Sequence, residues 1–176
     1  YDIKQARMNV ELFEGRVGQF IHISTVAVND RQNHCVYDEL SPMGNTFSEY
    51  GRNKEAIERY FHEQTRLPVT VVRPSQTYSD DRIPLSIKGR GCWPVVERMT
   101  NGKQVIVHGD GQSVWASTHA SDFAVACEAL VGNNVAIGKT YLIMNETPHT
   151  WDMLYQTLAK LLGVEYKPVY KPSSPV

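Results

Sequence analysis

The amino-acid sequence predicts an α/β fold in which helices cover a parallel sheet. Residues 19–25 and 69–72 form two short apolar, β-rich runs, the pattern of buried strands. A polar loop over 29–45 and an amphipathic helix from Ser48 to about Arg66 separate them. A strand, a loop, a helix and a strand in this order form a βαβ crossover, which places the two strands side by side and parallel.

Shorter elements are predicted on both sides of this crossover. A helix that Gly15 and Gly18 close precedes the first strand. After Tyr78, proline and glycine residues break the chain into loops around a helix over 95–101. The remaining elements are a strand in KQVIVH that runs into a Gly-Asp-Gly turn, a helix in SDFAVACEALVG, a strand over 139–145, and a helix that begins at its N-cap Thr150 and ends at Gly163.

Composition and charge exclude several classes of protein. The chain has 176 residues, of which 41% are hydrophobic, and a formal net charge of -1. No basic excess indicates a nucleic-acid surface, and no apolar stretch approaches the roughly 18 residues of a membrane span. The first residues lack the basic and apolar stretches of a signal peptide. We therefore expect a cytoplasmic protein that binds neither nucleic acid nor a membrane.

The cysteines predict no cross-link and no metal site. Cys35, Cys92 and Cys127 are far apart and odd in number, and the sequence has no Cys-x-x-Cys pair. Neither a disulfide framework nor a structural zinc site is expected from this pattern, so we interpret the three residues as reduced thiols.

One charged residue lies on the apolar face of the predicted helix. Tyr50, Ile57 and Phe61 recur at the spacing of a single face, and Lys54 lies in the middle of that stripe. Residues four apart are neighbours on a helix, so the Lys54 ammonium would favour the ionised form of the Tyr50 phenol. Such a pair can exchange a proton with a substrate hydroxyl. The alternative is a tyrosine at the edge of the core, with a lysine that extends past it to solvent.

Polar residues follow both predicted strands. Ser24 and Thr25 end the first strand, and the second runs into the polar turn of VVRPSQTY. Ligands of open α/β sheets bind at the carboxyl ends of the strands, so these residues would lie at the ligand-binding edge. GDGQSVWASTHASDFA supplies a further turn and the start of a helix.

In this order, the segments resemble the extended short-chain dehydrogenase/reductase family of NAD-dependent epimerases and dehydratases. The resemblance runs from about Gln19 to Gly163 and comprises the Ser-Thr strand end, the Tyr-x-x-x-Lys helix, the Arg-Pro turn, and Gly-Asp-Gly followed by His-x-x-Asp-x-Ala. It implies that residues 1–78 form the second half of a Rossmann-like dinucleotide-binding domain, a partial parallel sheet with helices on its faces. Residues 79–176 would form a smaller substrate-binding region, from which the strand over 139–145 returns to the sheet.

The resemblance also implies roles for individual residues. Tyr50 would be the catalytic acid/base, and Lys54 would hydrogen-bond the nicotinamide ribose of NAD or NADP. Thr25 would hold the substrate hydroxyl and complete the catalytic set. Pro74 and Ser75 would line the nicotinamide, mostly through their backbone. A cofactor ribose against Lys54 would explain why this lysine faces inward.

Two further residues are implied to contact the substrate. Gln76 stands where the family usually has a substrate-binding Asn. Trp115 stands where many members carry an Arg that pairs with a nucleotide diphosphate, and Trp provides a stacking face but no cation. A sugar-nucleotide substrate is therefore disfavoured, and Trp115 is a pocket wall or a packing residue. His119 and Asp122 match the family's His-x-x-Asp and are expected to cap and orient a helix.

The residues after Thr25 narrow the predicted reaction. Sugar-nucleotide dehydratases of the family follow this Thr with Asp-Glu, whereas Val26 and Ala27 here carry no proton-transfer group. Asn29 replaces a frequent Tyr. We therefore expect an NAD(P)-dependent epimerase or reductase of a sugar-like hydroxyl or carbonyl, or a fragment of one. The alternative is a non-catalytic binding or regulatory protein on the same fold, or an inactive truncated remnant.

The sequence contains no G-x-x-G-x-x-G turn, by which this family binds its dinucleotide. We therefore expect the C-terminal portion of such a protein, without the glycine-rich N-terminal βαβ half. Strands left at the edge of the sheet would favour association with another chain, and the resemblance implies a homodimer.

Overall fold

A computed structural model of the chain describes residues 2–32, 36–85 and 92–172. In chain order the elements are α1 (Ile3–Phe13), β1 (Phe20–Ile23), a 3-10 helix (Val26–Val28), α2 (Glu49–Glu63), β2 (Val69–Pro74), β3 (Gln76–Tyr78), α3 (Trp93–Thr100), β4 (Val105–His108), β5 (Val114–Trp115), β6 (Ser117–His119), α4 (Ala120–Glu128), a second 3-10 helix (Asn134–Ala136), β7 (Thr140–Ile143), β8 (His149–Thr150), α5 (Trp151–Leu162) and β9 (Pro168–Lys171).

The chain divides into two compact units. The first comprises Tyr1–Ser75 and Asp122–Ile143, and the second comprises Gln76–Ser121 and Met144–Val176. The division of the chain at residue 78 into cofactor-binding and substrate-binding parts stays a prediction, because it concerns function and not compactness.

A three-stranded parallel sheet forms the centre of the first unit. Its strand order is β1-β2-β7, with Phe20 opposite Val69 and Val71 opposite Thr140. The Ser24 N–H extends the first ladder by donating to the Val72 carbonyl at 2.7 Å. The prediction that the two buried runs are neighbouring parallel strands is confirmed.

Helices cover both faces of this sheet. Successive residues of a strand point to opposite faces, so Val71 packs against α1 and α2 while Val72 packs against the other side. On that side lie Phe123 and Cys127 of α4, together with Leu130, which follows that helix. The predicted α/β arrangement of a parallel sheet between helices is therefore confirmed for this unit.

Helix α2 ends three residues earlier than the sequence suggested. The chain becomes extended at Gln64, whose amide nitrogen donates to the carbonyl oxygens of Phe61 and Leu67. The Gln64 side chain thus satisfies the Phe61 carbonyl in the last turn of the helix, which ends at Glu63 although the residues up to Arg66 are compatible with helix. At the other end, Ser48 Oγ accepts from the Gly51 N–H at 3.0 Å as the N-cap.

The second unit packs α3 and α5 against β4. Its core contains Met99, Val105, Val107 and Tyr155. The described residues of this unit also form three two-stranded sheets: β3–β6 and β4–β9 are parallel, and β5–β8 is antiparallel. Helix α3 begins two residues before its predicted start, because a proline such as Pro94 is tolerated in the first helical turn.

The carboxylate of Asp152 holds the start of α5 in place. It accepts from the hydroxyls of Tyr166 at 2.7 Å and Tyr170 at 3.0 Å, and from the amide of Gln112 at 3.1 Å. Burial and the neighbouring Asp152 carboxylate raise the pKa of the Tyr166 hydroxyl. The Gly-Asp-Gly turn packs against the same carboxylate. Gly111 lies in close contact with it, and the Gly111 carbonyl accepts from the Asp152 N–H.

Within residues 2–32, 36–85 and 92–172, no helix is both long enough and apolar enough to cross a membrane. That part of the chain also brings no three His, Cys, Asp or Glu residues together as a metal site. Cys92 and Cys127 are reduced thiols, and Cys92 donates to the Leu85 carbonyl. Cys35 lies outside the described residues.

Replacing Gly111 by Ala tests the close approach at the Asp152 carboxylate. Gly111 has φ +78°, and an added Cβ would lie 2.6 Å from the carboxylate, which three hydrogen bonds hold in place. Gly102 is the matched control, since its φ of +65° carries a similar backbone penalty but an added Cβ meets nothing within 4 Å. We expect Gly102→Ala to lower the free energy of unfolding by about 1 kcal/mol and Gly111→Ala by about 2 kcal/mol more. Urea denaturation measures both, and equal losses would contradict the clash.

Candidate functional site

The end of β1 turns directly into a 3-10 helix that Thr25 caps. Thr25 Oγ1 accepts from the Ala27 N–H at 3.1 Å, which starts the turn Val26–Val28. A hydroxyl that accepts from the backbone keeps its own proton for donation. The Thr25 side chain is therefore fixed by its local backbone.

Helix α2 approaches this turn very closely through Gly51. A Cβ at this position would lie 2.4 Å from the Ala27 carbonyl oxygen. The same carbonyl accepts from Asn45 Nδ2 at 2.8 Å, and Asn45 is buried. Sequence reasoning missed both residues, although a glycine inside a predicted helix indicates a packing or functional reason.

The two residues of the Tyr-x-x-x-Lys pair lie in different surroundings. Lys54 is only 6% exposed, and its Nζ donates to the carbonyl oxygen of Ile23, the last residue of β1, at 2.7 Å. Burial lowers the pKa of Lys54, and the Glu58 carboxylate acts in the opposite direction. The prediction that Lys54 faces inward is confirmed. Tyr50, by contrast, is 55% exposed in the first turn of α2, so its ring is not part of the apolar stripe with Ile57 and Phe61.

A buried ion pair lies one helical turn beyond Lys54. Glu58 is fully buried and accepts from Ser24 Oγ at 2.7 Å and from Arg73 Nε at 2.9 Å. The guanidinium also contacts the carboxylate through Nη2. Sequence reasoning missed this pair. The available signals were an acidic residue on the apolar face of α2 and an arginine at the end of a buried strand, since charges are rarely buried unless paired.

His22 of β1 is a core histidine, and the described chain offers its Nε2 no hydrogen-bond partner. Its ring packs against Phe61 with 4.9 Å between the ring centres. Burial, and then the nearby Lys54 ammonium, lower the pKa of His22 to about 4. The ring is therefore neutral at physiological pH.

The other predicted site residues of the first unit, Pro74 and Ser75, lie at the end of β2. Pro74 is the last residue of that strand and is paired in register with Ile143 of β7. Ser75 comes directly after it, and both side chains are half-buried. The structure thus places Thr25, Pro74 and Ser75 at the carboxyl ends of neighbouring parallel strands, where the sequence predicted them.

Gln76 and Trp115 belong to the second unit. Gln76 starts β3 and donates through Nε2 to the Leu85 carbonyl at 3.2 Å, so its amide helps to hold the local backbone. Trp115 pairs with His149 across β5–β8 and packs on Trp151 with 5.3 Å between ring centres. Trp115 is thus a packing residue of this unit, and the substrate contacts of both residues stay predictions.

His119 also belongs to the second unit and has a local structural role. Its Nδ1 lies 2.7 Å from Ser121 Oγ and accepts from the Ser121 N–H at the start of α4. Its ring meets Tyr78 edge to face with 5.1 Å between centres. His119 thus caps the start of α4, as expected, and the roles of His119 and Asp122 in orienting the helix stay predictions.

Comparison with known proteins links these features to one family model. The model of the NAD dependent epimerase/dehydratase family matches residues 5–143. The 2'-dehydrokanamycin reductase of Streptomyces kanamyceticus is 28% identical over 133 residues, which cover 72% of this chain and 36% of that protein.

Solved structures share the fold over nearly the whole chain. The UDP-glucose 4-epimerase of Thermotoga maritima, solved with UDP-glucose, has a TM-score of 0.78 at 25% identity and covers 97% of this chain. The dTDP-glucose 4,6-dehydratase DesIV of Streptomyces venezuelae, solved with NAD, has a TM-score of 0.79 at 20% identity and covers 98%. This chain spans 56% and 53% of their lengths, respectively. The predicted Rossmann-like fold is confirmed.

The neutral His22 makes stability depend on pH. The unfolded His22 takes up a proton near pH 6.5, but the folded one does so only near 4, so acid favours the unfolded chain between these values. This contribution to the free energy of unfolding is fully present above pH 6.5 and falls by roughly 3 kcal/mol as the pH drops to about 4. We expect His22→Leu, which cannot be protonated, to lose that part of the pH dependence. Urea denaturation of both proteins from pH 4 to pH 7 measures the difference, and parallel curves would contradict the prediction.

Proposed function

The chain belongs to the NAD-dependent epimerase/dehydratase family, and from this premise we propose that it acts in NAD(P)-dependent epimerisation or reduction of a sugar-like hydroxyl or carbonyl. The observation that carries the proposal is the pair formed by an exposed Tyr50 and a buried Lys54, one turn apart on α2. The buried ammonium is fixed against the Ile23 carbonyl at the ligand-binding edge of the sheet.

The residues of the first unit fit the nicotinamide-ribose end of a dinucleotide. A ribose offers two hydroxyls, and the Lys54 ammonium and the Tyr50 hydroxyl are donors suited to them. Pro74 and Ser75, at the end of β2, would line the nicotinamide with their backbone. The sequence has no G-x-x-G-x-x-G turn, so no contact to the pyrophosphate is assigned to this chain.

The chain's own residues supply the proton transfer. NAD, when bound, exchanges a hydride with the substrate carbon. In reduction, Tyr50 donates its hydroxyl proton to the carbonyl oxygen, which becomes the product hydroxyl; in oxidation it accepts that proton. Lys54 and the positive end of the α2 dipole stabilise the phenolate that remains after donation. Thr25 donates its proton to the same substrate oxygen and holds it in place.

Reduction or epimerisation is favoured over dehydration. Elimination of water needs a further acid and base close to the substrate carbon, and the residues after Thr25 are Val26 and Ala27. Both form part of the 3-10 helix and carry no titratable group. The curated relative is named a reductase, and the epimerase from Thermotoga maritima is 25% identical to this chain.

The same relatives support a broad class of substrate. One is named for an aminoglycoside ketone and another was solved with a sugar nucleotide, so a carbohydrate carbonyl or hydroxyl is common to both. Gln76 and Trp115 are proposed as the substrate contacts of the second unit. Trp115 would present an aromatic face, which suits a sugar ring better than a diphosphate.

Substitutions on α2 test the proposed roles separately. We expect saturable binding of NADH or NADPH, which a titration with nicotinamide fluorescence detects. Lys54→Met should weaken this binding by about tenfold, because a hydrogen bond from a charged donor is lost. Tyr50→Phe should leave binding within about twofold and lower turnover by about a hundredfold or more, because it removes the proton donor.

Turnover is measured as NADH consumption with 2'-dehydrokanamycin and as conversion of UDP-glucose to UDP-galactose. Tyr60→Phe and Arg59→Met, on the same helix, are the matched controls and should resemble the wild type. Wild-type turnover in Tyr50→Phe would refute the acid/base role. Absence of saturable binding to either cofactor would refute the proposal and favour a non-catalytic protein.

A further inference from the structure

We propose that Glu58 is a positioning residue for this reaction, because its buried carboxylate holds together the three segments that carry Thr25, Lys54 and Pro74. The inference rests on the proposed function, since those three residues define the site that would be positioned. Glu58 itself touches neither substrate nor cofactor in this proposal.

The Glu58 carboxylate is bound from two neighbouring strands at once. Ser24 Oγ, at the end of β1, donates to Oε2 at 2.7 Å, and Arg73 Nε, in β2, donates to Oε1 at 2.9 Å. Arg73 Nη2 also donates to Oε1, so the guanidinium engages the carboxylate with two nitrogens. All three side chains are buried: Glu58 at 0%, Ser24 at 3% and Arg73 at 3% exposure.

Each partner in this network is directly linked to a proposed site residue. Ser24 precedes Thr25, and Arg73 precedes Pro74. Glu58 follows Lys54 by four residues on α2, so both side chains lie on one face of the helix. A shift of the carboxylate would therefore move all three site segments relative to one another.

Stability alone does not account for a buried ion pair at this place. Apolar side chains of similar volume usually stabilise a core as well as a buried pair does, or better. The ion pair instead fixes the position of α2 relative to β2, because a guanidinium and a carboxylate bind only in a narrow range of relative positions. An apolar contact here would leave α2 freer to slide or rotate on the sheet.

The network also affects the charge of Lys54. Burial lowers the pKa of Lys54, and Glu58 opposes that change. Titratable groups near these two include His22 from β1, which is neutral, Arg73 from β2, which is paired with Glu58, His62 from α2, whose Nε2 lies 3.9 Å from Glu58 Oε1, and Tyr50, one turn before Lys54 on α2. Glu58 is thus the anion that supports the Lys54 ammonium.

The test compares carboxylates on one helix. Glu58→Gln keeps the side-chain length and removes the charge, and Glu58→Asp keeps the charge and shortens the side chain. Glu55→Gln is the matched control, because Glu55 pairs with Arg59 at the surface of α2 at 2.8 Å. Loss of one partner of a buried pair can unfold a protein, so Glu58→Leu combined with Arg73→Met, an apolar replacement of the pair, is measured in parallel.

Two readouts separate positioning from stability. Hydrogen exchange of the amides of residues 24–28 reports the order of the Thr25 segment without any ligand. We expect about tenfold faster exchange there in Glu58→Gln and in the double variant than in Glu55→Gln. The affinity for NADH should fall by about tenfold in the same two variants, and Glu58→Asp should lie closer to the wild type.

The pH dependence of NADH affinity gives a signature that a purely structural role would not produce. Lys54 is charged below its pKa, so binding is complete at lower pH and is lost as the pH rises through that pKa. Removal of the Glu58 charge lowers the pKa of Lys54 further. The loss of binding should therefore begin at a lower pH in Glu58→Gln, and at the wild-type pH in Glu55→Gln.

Failure of the positioning role and failure of the proposed function give different results. Exchange and NADH affinity equal to those of Glu55→Gln, in whichever Glu58 variant is folded, would overturn the positioning role. If the wild-type chain binds neither NADH nor NADPH, the proposed function fails. The exchange of residues 24–28 then decides by itself whether Glu58 orders that segment.

Discussion

The first unit depends on one contact, in which a polar face of α2 docks on the end of β1. Gly51, Lys54 and Glu58 recur at spacings of three and four, so they lie on one side of the helix. Gly51 lies against the Ala27 carbonyl, Lys54 donates to the Ile23 carbonyl, and Glu58 accepts from Ser24 Oγ. The helix therefore binds the strand end through its backbone and through charges, while Ile57 and Phe61 fill the apolar core beside it.

Two cations, Lys54 and Arg73, and one anion, Glu58, are buried in this small region, so the carboxylate offsets only one of the two positive charges. Glu58 is paired with Arg73 and lies one turn from Lys54, which leaves a net positive region around the ammonium. His22 would add a third positive charge if it were protonated, but burial and the Lys54 ammonium keep it neutral. The same positive charge that disfavours a histidinium is the one that the proposed chemistry of Tyr50 would use.

The sequence predicted the elements well and the contacts between them poorly. The buried strands and the Thr150 cap have local signals, and all are present in the structure. Glu58 and Arg73 are fifteen residues apart, and nothing local in the sequence pairs them, because their contact depends on which faces of α2 and β2 meet. Tyr50 was placed on the apolar stripe by spacing alone, whereas the helix begins at Glu49 and its first turn extends past the core.

Because Tyr50 lies in that first turn, one helix can carry both an exposed acid/base residue and a buried cation. An acid/base residue must reach the substrate, and a side chain that is 55% exposed can do so. The ammonium proposed to support this residue acts most strongly where water does not screen it, and Lys54, one turn deeper, is 6% exposed. A Tyr-x-x-x-Lys pair on a solvent-exposed helix would lose this electrostatic effect, and a fully buried pair would exclude the substrate. The proposed chemistry therefore depends on how closely α2 packs on the sheet. The contacts of Gly51 and Glu58 determine this distance.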